Sequence, residues 1–242
     1  MQPFEPGKYY HIYNRANGFE KLFLSDENYR YFLRQYVKYI EPVAITYAWC
    51  LLPNHFHFLI KIRNPDLVGA DLEGFVGADL EGFEGSDLEG FENLQGREEG
   101  NLQGRKGGDL QGRARGNLQG RVSRQFSNLF NSYSKAFNKM YNRKGSLFMR
   151  SMKRKVITSE EYLKKIICYI HHNPVHHGLI KSMEQWKFSS YSVFVNENFT
   201  FPSDKSLPWV PKNEVIAWFD NKSNFIYCHQ NSLNMKLWNS LE

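Results

Sequence analysis

Apolar and polar residues alternate with a period of two in some stretches and recur at helical spacing in others, and the order of those stretches lays out a fold. Lys8 to Arg15 (KYYHIYNR) reads as a first strand, followed by a turn at Asn17-Gly18. Ser25 is placed to cap a helix in which Tyr29, Phe32, Leu33, Tyr36, Val37 and Ile40 form one apolar stripe, with Pro42 just past its end. Val43 to Leu52 alternates again, which puts Val43, Ile45, Tyr47, Trp49 and Leu51 on one face. A Leu52-Pro53-Asn54 turn joins this strand to the run His55-Phe56-His57-Phe58-Leu59-Ile60, making a hairpin. From Val122, Phe126, Leu129, Phe130, Tyr133, Phe137, Met140 and Tyr141 form a second helical stripe that Gly145 is expected to stop. A short strand follows near Lys155-Val156-Ile157. Thr158-Ser159-Glu160-Glu161 is a capping box, opening a helix that runs to about Asn173, where Pro174 is expected to end it. The order β, α, β, β, α, β, then a further helix, is the split βαβ, ferredoxin-like plan: α+β, an antiparallel sheet with helices packed on it. The histidine strand is central in such a sheet. From Trp186 on the chain is aromatic-rich, with Trp209, Trp218 and Trp238, and helices are expected from near Asn213 and near Asn224.

Residues 66–121 interrupt this pattern. They hold 14 of the 18 glycines and repeat two related units of about eight residues, GADLEGFV-like first and NLQGREEG-like from Asn93. Each unit has one leucine, too little apolar surface to offset the ordering entropy of its glycines. The segment is therefore expected to be a flexible insertion without chemistry, with a β-solenoid as the alternative. On this division, 1–65 and 122–191 make one domain and 192–242 a C-terminal helical extension.

Charge sharpens the division. The insertion carries 12 acidic and 6 basic side chains, whereas the rest of the chain carries 13 acidic and 25 basic. A folded part that basic, with aromatics interleaved, points to a polyanion, and nucleic acid is the usual one. A basic, well-solvated surface is the plainer reading. Cys50, Cys168 and Cys228 are widely spaced and in no paired motif, which argues against a disulfide framework or a thiolate zinc site. No apolar run approaches membrane-spanning length and the N-terminus lacks a signal-peptide pattern, so a soluble cytoplasmic protein without membrane partners is expected.

Two candidate sites of chemistry stand out. In a strand, residues i and i+2 share a face, so His55 and His57 present two imidazoles side by side while Phe56, Phe58, Ile60 and Ile62 face the other way. Two imidazoles can hold a metal ion and leave most of its coordination sphere open. They equally suit a strand whose histidines merely hydrogen-bond. On the helix after the capping box, Leu163, Ile166, Ile167 and Ile170 form the buried stripe, and Tyr162, Tyr169 and Asn173 fall together on one flank of it. Asn173 is then a candidate third, oxygen ligand, and Tyr169 a candidate nucleophile toward a metal-polarised phosphate, with Tyr162 second. The same positions suit a packing tyrosine and a helix C-cap. His171, His172, His176 and His177 have irregular spacing around Pro174 and Gly178 and read as surface or phosphate-facing residues. Trp49 reads as core.

The segments YHIYNRANG, AWCLLPNHFHFLI, KGSLFMRSMKRKVI, YLKKIICYIHHNPVHHGLI and WKFSSY together resemble the REP-associated tyrosine transposases, within the single-tyrosine HUH transposases. The likeness covers about residues 8–63 and 122–191, and the insertion has no counterpart in it. It implies a catalytic domain that cleaves and rejoins single-stranded DNA, often beside a hairpin. It also implies His55 and His57 as the metal-binding pair, Asn173 as the third ligand, Tyr169 as the nucleophile and Mg²⁺ or Mn²⁺ as the cofactor. A 5′-phosphotyrosine intermediate, association with the bacterial nucleoid, and either a monomer or a homodimer that completes its sites in trans go with it. The best candidates for DNA-backbone contact are Arg150, Lys153, Arg154 and Lys155, with Asn131 and Lys135 on the polar face of the preceding helix. Two rivals remain: a nucleic-acid-binding protein that keeps the fold without the chemistry, and a metal-dependent hydrolase that uses water in place of tyrosine.

Overall fold

The computed structural model describes residues 3–64, 110–200, 202 and 206–231, with side chains from 119 onward in the helix that begins at Leu110. Its elements are β1 (Tyr9–Arg15), α1 (Asp26–Ile40), β2 (Ala44–Leu52), β3 (His55–Ile62), α2 (Leu110–Met140), β4 (Lys153–Ile157) and α3 (Glu160–His176). A 3₁₀ turn (Met183–Gln185) and three short α-helices follow: α4 (Tyr191–Val195), α5 (Lys212–Trp218) and α6 (Lys222–Asn231). The four strands form one sheet in the order β2-β3-β1-β4, and every neighbouring pair is antiparallel. β1 and β2 run the same way with β3 between them, so the chain is α+β with the expected split βαβ arrangement and a central histidine strand.

The strand alternation gives the sheet two different faces. On one, Phe56 and Phe58 meet α1 and α2. The Phe58 ring stacks on Tyr36 with centroids 4.0 Å apart, and Phe56 packs on Phe32 at 5.3 Å and on Phe130 at 5.9 Å. Tyr133 closes the layer edge-on to Phe32, and its hydroxyl donates to Leu22 O. Each such ring contributes about 1.5–3 kcal/mol on burial. Trp49 pairs with Phe58 in register and is buried, so it is core as expected. On the other face lie His11, Tyr13, His55 and His57, covered by α3.

Several local expectations are corrected. The alternation of β2 is broken by a bulge between Thr46 and Ala48, which leaves Ile45 and Tyr47 on the side opposite Trp49 and Leu51. Its hydroxyl instead donates to Glu214 of α5 at 3.1 Å, and its ring stacks on Trp218 at 5.1 Å. The second long helix starts at Leu110, inside the stretch read as an insertion, while 65–109 lie outside the described residues, as does Trp238. It ends at Met140 rather than near Gly145, because Asn142 takes the left-handed conformation (φ +48°) and Arg143 N–H closes on Asn138 O at 2.8 Å. Met140 and Tyr141, placed in the apolar stripe, are exposed at that end. Pro174 does not end α3. Gly178 does, at φ +67°, with Gly178 N–H donating to Val175 O and Leu179 N–H to Pro174 O, each at 2.9 Å. At the other end Ser159 caps as expected, its hydroxyl accepting from Tyr162 N–H at 3.2 Å.

The two sheet edges are handled differently. Along β2, Leu51 N–H donates to Phe188 O and Ser190 N–H to Trp49 O, both at 2.9 Å, so the segment before α4 covers the edge. His171 on α3 bonds Ser190 Oγ at 2.8 Å and His229 Nε2 at 2.9 Å, tying α3, α4 and α6 together. His171 and His172 are thus buried rather than at the surface, and only His176 and His177 are exposed. β4 forms the opposite edge, where basic side chains discourage strand pairing. No helix among the described residues is long and apolar enough to cross a membrane.

Candidate metal and nucleophile site

α3 lies across the histidine face of the sheet, and its register decides what meets the imidazoles. Tyr169 is 2% exposed, its ring edge-on to His57 at 5.3 Å and to His11 at 5.8 Å. Asn173 stands one turn further along α3, fully buried, with Nδ2 donating to Tyr169 O at 3.2 Å. It is therefore an interior helix residue, not a C-cap, and its amide oxygen is left over. The four residues singled out from strand and helix spacing are brought together within one chain.

Polar atoms in this cluster lack hydrogen bonds of normal geometry, although the Asn173 side chain lies close enough to His55 to act on its ring. His55 Nε2, His57 Nε2 and Asn173 Oδ1 are all buried and make no hydrogen bond of normal geometry. Buried unsatisfied atoms are uncommon and costly, about 1–3 kcal/mol each. Three of them on the three residues expected to ligate a cation form a donor set of two imidazole nitrogens and one amide oxygen. That set fits Mn²⁺ well and Mg²⁺ less well, since Mg²⁺ prefers all-oxygen shells. Among the described residues no group of three or more His, Cys, Asp or Glu side chains is placed to hold a metal ion. A cation here would draw the rest of its shell from water or substrate.

The Nδ1 atoms of His55 and His57 are held, whereas Nδ1 of the neighbouring His11 is itself buried without a hydrogen bond. His55 Nδ1 is 2.7 Å from Asn54 Oδ1, and His57 Nδ1 is 2.9 Å from His11 Nε2. Burial depresses all three imidazoles below their ordinary range. His55 falls to about 4, with His177 adding to the effect and the adjacent Asn173 side chain opposing it, and His11 to about 3, with Lys155 adding to it. His57 lies well below its usual value because it is buried and then because His11, His55 and His177 surround it. Near neutral pH these rings are uncharged and keep lone pairs for ligation.

Two nearby residues, His11 and Arg15, were not singled out from the sequence, and a third, His177, was read there only as a surface or phosphate-facing residue. His11 pairs across from Leu59 on the histidine face, and the periodicity of KYYHIYNR together with the expected β1–β3 pairing could have placed it there. Arg15 pairs in register with His55 and is exposed. His177 lies with its ring 4.8 Å from that of His55, carried there by the extra turn of α3 beyond Pro174.

The basic candidates divide by strand face. Lys153 and Lys155 pair with Tyr13 and His11 and share the histidine face. Arg154 points the other way and lies 4.2 Å over the Phe4 ring. Arg150 is exposed ahead of β4. Asn131 and Lys135 are exposed on α2, on the layer across the sheet from the imidazoles. Tyr162 is half-buried at the start of α3, two turns from Tyr169.

No protein-family model and no curated protein matches the chain. A similar solved structure is that of the REP-associated tyrosine transposase bound to a REP hairpin. The identity is 16% and the TM-score 0.47, over 87% of this chain and 89% of that one.

Proposed function

We propose that this protein cleaves and rejoins single-stranded DNA with Tyr169 as the nucleophile. The observation that carries the reading is the placement of the Tyr169 ring against His57, beside three buried ligand atoms, on His55, His57 and Asn173, that make no hydrogen bond of normal geometry. His55, His57 and Asn173 would hold a divalent cation, Mg²⁺ or Mn²⁺, which when bound polarises the scissile phosphate. The Tyr169 phenol oxygen attacks phosphorus, and the P–O3′ bond breaks as the Tyr–O–P bond forms. The phenol gives up its proton and the departing 3′ oxygen takes one up, leaving a 5′-phosphotyrosine and a free 3′-hydroxyl. The covalent link preserves the phosphodiester's energy, so a 3′-hydroxyl rejoins the strand by the reverse attack. Arg15, Lys153 and Lys155 border the same face and supply positive charge for the DNA backbone.

The test is incubation with single-stranded and hairpin-flanked DNA and Mn²⁺, followed by a denaturing gel. A protein-linked DNA band is expected in the wild type and absent in Tyr169→Phe. A band that persists in Tyr169→Phe moves the role to Tyr162. One observation favours a second reading, a DNA-binding protein without the chemistry: Tyr169 is almost fully enclosed, and a phosphate must reach its oxygen. That reading predicts salt-dependent binding and no linked band.

A further inference from the structure

His11 lies outside the ligand set but touches it, and two neutral imidazoles 2.9 Å apart can share only one proton between them. If His11 Nε2 carries it, His57 Nδ1 is the acceptor and the single N–H of His57 sits on Nε2, the atom that faces no partner. If His57 Nδ1 carries it, Nε2 keeps its lone pair and is competent to ligate. Only the second arrangement is compatible with a cation. Both rings are buried and stacked on β1 and β3, with centroids 5.2 Å apart, so neither water nor a rotamer change readily supplies another partner.

From this geometry we infer that His11 is a positioning residue: it accepts the Nδ1 proton of His57, fixing the tautomer that leaves His57 Nε2 open to a divalent cation. The inference rests on the metal site proposed above. Metal-bound histidines usually donate their second N–H to a carboxylate, a carbonyl or water. Here the acceptor is another imidazole, supplied by the neighbouring strand. His55 has its own acceptor in Asn54 Oδ1, so the two candidate ligands are oriented by different partners.

The experiment measures Mn²⁺ binding to the full chain by the loss of the free-ion electron paramagnetic resonance signal, without DNA. His11→Phe, which keeps a ring but has no acceptor, is expected to weaken binding about tenfold to hundredfold. His11→Gln, whose amide oxygen can accept in place of Nε2, is expected to recover most of that loss. In parallel, ¹⁵N chemical shifts of the wild-type histidine rings, assigned with His57→Gln, are expected to show His57 protonated at Nδ1 when Mg²⁺ is added. That measurement stands even where His11→Phe fails to fold. Wild-type affinity in a folded His11→Phe, or an Nε2 proton on His57 with the ion bound, overturns the role of His11 and leaves the metal site intact. Mn²⁺ binding no tighter in the wild type than in His57→Ala overturns both.

Discussion

The two faces of the sheet are built from the same strands to opposite specifications. Against α1 and α2 the side chains are rings and branched aliphatics in close contact, with Tyr36 hydroxyl satisfied by Thr46 Oγ1 at 2.9 Å. Against α3 the sheet presents His11, His55 and His57 to a tyrosine and an asparagine, and four buried polar atoms of that cluster make no hydrogen bond of normal geometry, against two, Trp49 Nε1 and Arg154 Nε, on the other face. A face that only had to hold the fold together would not need four such atoms on adjoining side chains, since apolar side chains of similar shape would be no worse for stability. Stability is concentrated on the first face and chemistry on the second, and one strand, β3, serves both through alternate residues.

Substitutions on the two faces should therefore separate folding from activity. The largest effect is the loss of the protein-linked DNA band in Tyr169→Phe, with thermal stability nearly unchanged. On the opposite face Phe58→Ala should cost about 3–5 kcal/mol in chemical denaturation, because it removes the ring stacked on Tyr36 and leaves a cavity. If Phe58→Ala cost as little stability as Tyr169→Phe, the division of labour would be wrong. Acid distinguishes the faces in another way. The histidine face holds imidazoles with lowered pKa values, His55 at about 4 and His11 at about 3, against about 6.5 in the unfolded chain. The unfolded state then binds more protons in that range, so stability is intact above pH of about 6.5 and falls as the pH drops through about 4. Melting temperatures from circular dichroism between neutral pH and pH of about 4 should decline, and a flat profile would contradict the burial of these rings. The smallest effect concerns the basic side chains. Lys153→Ala, on the histidine face, should weaken DNA binding and lower the salt-dependence slope by about one, whereas Lys135→Ala on the far layer should leave the slope alone.

Much of this was legible from spacing. A period of two places His55 and His57 on one face whatever the rest of the chain does, and a helical period places Tyr169 and Asn173 one turn apart. The βαββαβ order was readable because each element carries its own apolar pattern. The misreadings share a cause. Pro174 is a strong local signal against helix, but tertiary packing and the left-handed Gly178 extend α3 past it, and that extra turn brings His177 to His55. The Tyr47 bulge inserts one residue into an otherwise regular alternation, which no periodicity foretells. The basic run Lys153-Arg154-Lys155 looked like a single patch, yet strand geometry sends its middle member to the other side of the sheet.

By itself the sequence determined which side chains share a face within each regular element, the bulged β2 excepted, since that follows from backbone geometry over a few residues. It also determined the α+β order, through the hydrophobic period of each segment. Only the tertiary structure decided that the α3 flank lies over the β3 imidazoles and that His11 meets His57. Those contacts depend on strand pairing and on how a helix seats across a sheet, and both are set by packing between residues far apart in the chain.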